Sequence, residues 1–235
     1  MPHGPSAGDD RRRLATAEIF AQRDATMGDL YDVRRGDQAH ISYIRSATWG
    51  RHIRKGSWTM GTTLEIGAGH GAPLRWALEA GATTAIAIDI SEDRLCAARR
   101  FNAAINPLLA DAVTIPLRSE SVDTIICSTI FSSILDDTIA RQMAREITRV
   151  LKPVGLVLWF DFYRDNPRNK DVRAVGKADI LDLFPGLSQH LQRAVLAPPL
   201  AKRLERWPRT IAILEALPML RTHLVGSLSP RPDRS

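Results

Sequence analysis

The sequence predicts an α/β fold, a doubly wound and mostly parallel sheet covered by helices on both faces. Three observations predict it. Between residues 62 and 160, short apolar segments alternate with helical patterns. Those segments are hydrophobic on consecutive residues rather than on alternate ones, as strands buried on both faces are. The first of them runs straight into a glycine-dense turn, Gly67-Ala68-Gly69-His70-Gly71.

Residues 1–10 (MPHGPSAGDD) and 231–235 read as disordered ends, rich in Pro, Gly and Asp. Residues 11–55 predict a helical cap segment. Leu14, Ala17, Ile19 and Phe20, then Ile41, Ile44, Trp49 and Ile53, recur at helical spacing, with a polar loop over 31–38 between them. The main domain spans 56–230. Its first strand covers 62–66, and a helix over 73–80 ends at Gly81, where a helix-stopping glycine belongs. A strand follows over 84–88. Ser91 then caps a helix over 92–104. Leu108 and Leu109 mark a third strand, cut short by Pro107. Residues 122–127 form a fourth. Asp136 caps a helix with Ile139, Met143, Ile147 and Val150 on one face. Pro153 and Gly155 end it, and 154–160 is a fifth strand. Beyond Phe162 come a polar loop over 164–170, a short helix over 178–184 and a sixth strand over 191–196. A helical stretch over 199–217 is broken at Pro208, and 222–228 is a last strand.

The composition of the 235 residues is that of a globular protein, 44% hydrophobic and 25% charged, and one domain of this length buries a sizeable core. Net charge is +6. Residues 61–163 are net acidic and both flanks are net basic, which describes an arginine-rich solvated surface or a rim that draws an anionic acceptor. No recognisable basic module accompanies the charge, so nucleic acid is not an expected partner. Cys96 and Cys127 lie outside any CxxC and read as small buried hydrophobes, not as metal ligands or a disulfide. No metal is expected. No signal-like N-terminus and no run of roughly 20 apolar residues is present. The expectation is a cytoplasmic protein with no stable membrane insertion.

The turn after the first strand carries the chemistry. Glycines there let the backbone bend tightly and approach a ligand closely, and the following helix start offers free N–H groups. Gly67-x-Gly69-x-x-Ala72 also fits the dinucleotide fingerprint, and Asp89, 22 residues after Gly67, suits a ribose-binding acid in either case. Three features favour a different ligand. Glu65, two residues before Gly67, is ill placed beside phosphates but well placed for a cationic α-ammonium. Asp111-Ala112 follows the third strand, where a carboxylate can accept a hydrogen bond from the adenine amine. Some 60 residues precede the turn, whereas a dinucleotide domain often begins close to its fingerprint.

LEIGAGHG resembles the first motif of the class I S-adenosylmethionine-dependent methyltransferases. AIAIDIS resembles their ribose-binding strand end, and ADAVTIPLRSESVDTIICS their third-to-fourth strand segment. Residues 149–155 (RVLKPVG) resemble their RVLKPGG turn, with Val154 in place of the usual Gly. The similarity covers about residues 55–165. It implies a Rossmann-like, seven-stranded sheet whose last strand is antiparallel. It implies S-adenosyl-L-methionine as cofactor, held by Glu65, Gly67, Ala68, Gly69, Gly71, Asp89, Ile90, Asp111, Ala112 and Ser128. Apart from the resemblance, Tyr31 is a candidate to close over the cofactor, the alternative being that it anchors a helix.

Methyl transfer is an in-line displacement, so alignment is the main task; a hydroxyl acceptor also needs a base. Asp161 and His40 are the candidate catalytic residues. His70 in the turn and His223 on the last strand are weaker candidates. Phe131, Tyr163, Asn166 and Asn169 are candidate acceptor contacts, and by the same resemblance residues 165–220 are expected to include an acceptor-site cap. The segment after the fourth strand, Cys127-Ser128-Thr129-Ile130-Phe131, lacks the Asn/Asp-Pro-Pro-aromatic and Pro-Cys motifs of nucleic-acid base methylases. The expected acceptor is a small molecule or glycan, methylated on oxygen or nitrogen. The alternatives are C-methylation of a quinone or lipid-like acceptor, a nicotinamide-dependent oxidoreductase, and a non-catalytic cofactor-binding module.

Overall fold

The computed structural model describes residues 36–165, 171–196 and 216–231, with Trp207, Thr210 and Leu214 as isolated positions. Helix α1 (Gly36–Gly56) comes first, followed by β1 (Thr62–Ile66), α2 (Ala72–Glu79), β2 (Thr84–Asp89), α3 (Glu92–Phe101) and β3 (Ile105–Leu109). Then come β4 (Val122–Ser128), α4 (Asp137–Val150), β5 (Leu151–Phe162), α5 (Lys177–Leu183), β6 (Leu187–Leu196) and β7 (Arg221–Pro230). Short 3-10 turns occupy Phe131–Ser133 and Pro218–Leu220.

The seven strands form one sheet in the order β3-β2-β1-β4-β5-β7-β6. The first five are parallel, and β7 runs antiparallel to both β5 and β6. The chain winds outward from β1 to β3, then restarts at β4 on the other side of β1. That reversal leaves a crevice beyond the carboxyl ends of β1, β2 and β4, the usual ligand position in such sheets.

Neighbouring strand residues feed opposite faces, as the pleat requires. Ile125, Val157 and Trp159 join the core under α4, with Met143, Ala144 and Ile147. Ile126, Leu156, Leu158 and Phe160 join the opposite core, with Trp49 and partly buried Ile41, Ile44 and Ile53 of α1. Asp136 accepts hydrogen bonds from the Thr138 and Ile139 amides and Ser91 accepts one from Arg94, so both expected N-caps form.

Several boundaries differ from the sequence reading, each for a physical reason. β3 runs through Pro107 instead of starting after it. It is an edge strand, where alternate N–H groups face solvent and a proline removes no ladder bond. β5 begins at Leu151, not at residue 154. Val122 pairs with Leu151 and Thr124 with Leu156, so residues 152–155 bulge out of the ladder and Val154 is 76% exposed. The substitution of Val for Gly therefore meets only solvent. The helix expected over 92–104 stops at Phe101 because Asn102 turns to extended backbone. Gly36 and Gln38, read as loop, belong to the first turn of α1, whose N–H groups need no helical partner anyway. Cys127 is buried as expected, but Cys96 is exposed, on the outer face of α3. The expected helices before residue 36, the bulk of that over 199–217 and both ends of the chain lie outside the described residues. Among the described residues no helix is long and apolar enough to cross a membrane.

Helix α1 is docked by Trp49, fully buried, whose indole Nε1 donates to the Trp159 carbonyl oxygen at 3.1 Å. Its ring also lies 5.4 Å from that of Trp76. Trp49→Ala is expected to destabilise the protein by about 3–5 kcal/mol in urea unfolding; a loss below about 1 kcal/mol contradicts this docking.

Candidate functional site

One cleft of about 250 Å³ opens at the crevice beyond β1, β2 and β4. Glu65 from β1, the turn 66–73, Asp89 and Ile90 after β2, and Ala110 to Ala112 after β3 line it, with Ser128 and Thr129 after β4. Ile130, Ile134, Ile139 and Met143 form an apolar wall, and Gln38, Ser42 and Arg45 of α1 close another side. Glu65, Asp89 and Asp111 thus share one cleft. The expected cofactor residues of the glycine turn and strand tips all lie on its lining. Tyr31 lies outside the described residues.

The glycines of the turn are used for their backbone. Gly67, Gly69 and Gly71 all take the left-handed conformation, with φ of 66°, 50° and 76°, which costs other residues strain. A side chain on Gly67 would strike Ile130 at 2.6 Å, whereas one on Gly69 would meet nothing within 4 Å. Gly69 therefore leaves an open cradle on the cleft wall. The Gly67 and Ala68 amides donate to the Ile88 carbonyl oxygen, at 2.8 and 3.0 Å, which pins the turn to the end of β2.

The carboxylates are held differently. Asp89 is buried, and its oxygens accept from the Gly69 amide at 3.3 Å and the Ser91 amide at 3.0 Å. Arg94 approaches to 3.9 Å. Burial still pushes its carboxyl above the ordinary range, against those hydrogen bonds. Glu65 is more deeply buried, at 2% exposure, and burial raises its carboxyl well above the ordinary value. The nearby Arg45 charge and the Leu74 amide, in the first turn of α2, offset this in part. Its Oε2 has no hydrogen-bond partner among the described residues. Asp111 accepts from the Val113 amide at 3.1 Å.

The candidate acceptor-side residues are placed elsewhere. Asp161 is 1% exposed and outside the cleft lining. Its oxygens accept from the Ser132 amide at 3.1 Å and the Phe162 amide at 2.8 Å. Burial pushes its carboxyl up to about 6. Phe131 is fully buried, its ring 5.1 Å from Trp159 and 5.7 Å from Phe184. The Tyr163 hydroxyl donates to the Arg221 carbonyl oxygen at 2.8 Å, against the β7 start. His40 sits on α1 and is not part of the cleft lining. His70 is exposed on the cleft rim. His223 is buried between Phe160 and Phe162, and burial lowers it to about 3. Asn166 and Asn169 lie outside the described residues.

Sequence reasoning missed Arg45, Gln38 and Ser42 on α1, and Thr129. Arg45 gave no signal, since arginine on an amphipathic helix reads as a solvated face. Thr129 is a β-branched residue at φ 53°, a conformation that marks strain at a functional wall. It is held by its amide donating to the Phe160 carbonyl oxygen at 2.7 Å; sequence carries no sign of it.

Residues 64–159 match the family model described as a methyltransferase domain. No curated protein matches the chain. Among solved structures, the chain is similar to the 1,6-didemethyltoxoflavin-N1-methyltransferase of Burkholderia thailandensis, crystallised with 1,6-didemethyltoxoflavin and S-adenosylhomocysteine. Identity is 15% and TM-score 0.66, covering 98% of this chain and 93% of that one. It is also similar to an S-adenosylmethionine-dependent methyltransferase of Mesorhizobium loti, at 18% identity and TM-score 0.56, over 76% of this chain and 95% of that one. Both likenesses are likenesses of fold. Residues 64–159 thus match a methyltransferase-domain model, and the chain shares the fold of these two enzymes.

The buried carboxyls make folding sensitive to acid in a defined direction. Asp161 moves from an ordinary 3.8 to about 6 on folding, so the folded chain binds this proton more tightly than the unfolded one. Its contribution to stability therefore falls as pH rises through that interval. Asp161→Asn removes this titration, and the difference in urea-unfolding free energy between wild type and variant is expected to change between pH 4 and 6. A pH-independent difference contradicts the burial assigned to Asp161.

Proposed function

We propose that the protein transfers a methyl group from S-adenosylmethionine to an oxygen or nitrogen of a small-molecule or glycan acceptor. The observation that carries this reading is the convergence of Glu65, Asp89 and Asp111, from three successive strand ends, on one cleft. The residues fit the cofactor. Glu65 has an orphaned oxygen for an α-ammonium. Asp89 is oriented by two backbone amides and suits the ribose hydroxyls. Asp111 suits the adenine amine. Gly69 leaves room where a side chain would intrude, and the isoleucines with Met143 form a wall for an apolar ring. When bound, the cofactor supplies a methyl group made electrophilic by the sulfonium.

The protein's own contribution is orientation and exclusion of water. Rigid anchors at separate strand ends hold the ligand along the sheet edge, and alignment of this kind is worth orders of magnitude in rate. The hydrogen bond from the Thr129 amide to β5 and the pinned glycine turn keep the cleft walls in place before any ligand arrives. Support for a small-molecule acceptor comes from the fold neighbour crystallised with 1,6-didemethyltoxoflavin, and from the absence of base-methylase motifs after β4.

Calorimetric titration is expected to show binding of S-adenosylmethionine and S-adenosylhomocysteine and none of NADPH. Asp89→Ala is expected to weaken S-adenosylhomocysteine more than tenfold, since hydrogen bonds to a charged group contribute about 1.5–3 kcal/mol. Unchanged affinity, or preference for NADPH, contradicts the reading. With methyl-labelled cofactor and fractionated cell extract, label is expected in the small-molecule or polysaccharide fraction; incorporation into nucleic acid alone contradicts the acceptor class.

A further inference from the structure

Three carboxylates, Glu65, Asp89 and Asp111, converge on the cleft, and two arginines line it, Arg45 from α1 and Arg94 from α3. His70 stands at its rim. Arg94 is the cation beside Asp89. Its Nη1 lies 3.9 Å from Asp89 Oδ2, and the two side chains are 16% and 3% exposed.

The place of Arg94 runs against the helix that carries it. It belongs to the first turn of α3, where its amide donates to the Ser91 hydroxyl at 3.4 Å. A first turn favours acids, as Glu92 and Asp93 there illustrate, and disfavours a cation. Arg94 is nonetheless held with most of its side chain out of water, and what it meets there is Asp89. Burial works against the Asp89 charge, and Arg94 works for it. Glu65 from β1 adds a like charge nearby. A buried acid with no cation to oppose these effects takes up a proton.

The distance decides what the pair does. At 3.9 Å the guanidinium is inside ion-pair range and beyond hydrogen-bond length. Its charge therefore acts on Asp89 without occupying an acceptor position. An ionised carboxylate offers about four such positions, and protonation turns one of its acceptors into a donor. The Ser91 and Gly69 amides use one position on each oxygen. The remainder suits two adjacent hydroxyls donated together, as a ribose presents them.

We propose that Arg94 is a positioning residue that fixes Asp89 as a double acceptor for the ribose hydroxyls, and so sets the preference of the site for ribose over deoxyribose ligands. This rests on the cofactor reading of the cleft. Arg94 acts through Asp89 and touches neither the sugar nor the reacting atoms.

Calorimetry with S-adenosylhomocysteine and its 2′,3′-dideoxy analogue separates the sugar from the rest of the ligand. The wild-type chain is expected to bind the dideoxy analogue at least tenfold more weakly. Arg94→Met is expected to weaken S-adenosylhomocysteine about tenfold at pH 6 and less at pH 8, while changing affinity for the dideoxy analogue less than threefold at either pH. The sign follows from charge: without Arg94, Asp89 takes up its proton at higher pH, so the variant loses affinity on acidification where the wild type keeps it. Arg94→Lys, which keeps the charge, is expected to stay within threefold of wild type at both pH values. Arg94→Gln, neutral but polar, is expected to match Arg94→Met and carries the test if the methionine variant does not fold. Equal weakening of both ligands by all these substitutions, independent of pH, makes Arg94 a packing residue and overturns the inference. Equal wild-type affinity for the two ligands also overturns it and leaves the cofactor reading intact. Failure of the wild-type chain to bind S-adenosylhomocysteine overturns the cofactor reading and this inference together.

Discussion

Burial of carboxylates at the ends of parallel strands is the constraint on which the molecule is organised. A carboxylate taken out of water is tolerated only where backbone amides or a counter-charge meet it. Asp89 has such amides from Gly69 and Ser91, and Asp161 has them from Ser132 and Phe162. Glu65 keeps an oxygen with no hydrogen-bond partner among the described residues. That asymmetry sets Glu65 apart from the other two acids. It also explains why the glycine turn has its particular shape, since only a left-handed backbone brings the Gly69 amide onto Asp89 while leaving the cleft open.

The rest of the architecture supports those strand ends. The sheet order places β1 between β2 and β4, so the tips carrying Glu65, Asp89 and Ser128 are neighbours. Helix α4 on one face and α1 with α2 on the other press the sheet between two cores. The buried aromatic group of Phe131, Trp159 and Phe184 stiffens the region behind β4 and β5. On the opposite face, Phe160 stacks against His223 and lies beneath Arg45, which couples the position of α1 to the sheet.

The strand segments and the residues that line the cleft were legible because their signals are local. An apolar run followed by glycines reports both a buried strand and a close approach of backbone to ligand, and Asp89 and Asp111 stand directly at strand ends. Acceptor-side reading fared differently because it depends on side-chain direction. Successive residues of a strand point to opposite faces, so proximity in sequence to Phe160 says little about where Asp161 faces. Phe131 follows β4 closely yet turns into the core, and Tyr163 turns toward the start of β7. Edge position excuses Pro107 and a bulge excuses Pro153, and neither is visible before strand neighbours are known. Arg45 was hidden because Ser128 and Phe160 reach it only through the tertiary fold, while Trp49, one turn further along α1, reads as a core residue.

The most direct measurement is a crystal structure of the protein with S-adenosylhomocysteine. The account predicts a single ligand lying across the ends of β1, β2 and β4, with carboxylate oxygens of Glu65, Asp89 and Asp111 each within hydrogen-bond distance of its ammonium, ribose and adenine. A ligand bound elsewhere, or bound in the cleft with Glu65 turned away and Asp89 still engaged only with its own backbone amides, contradicts it.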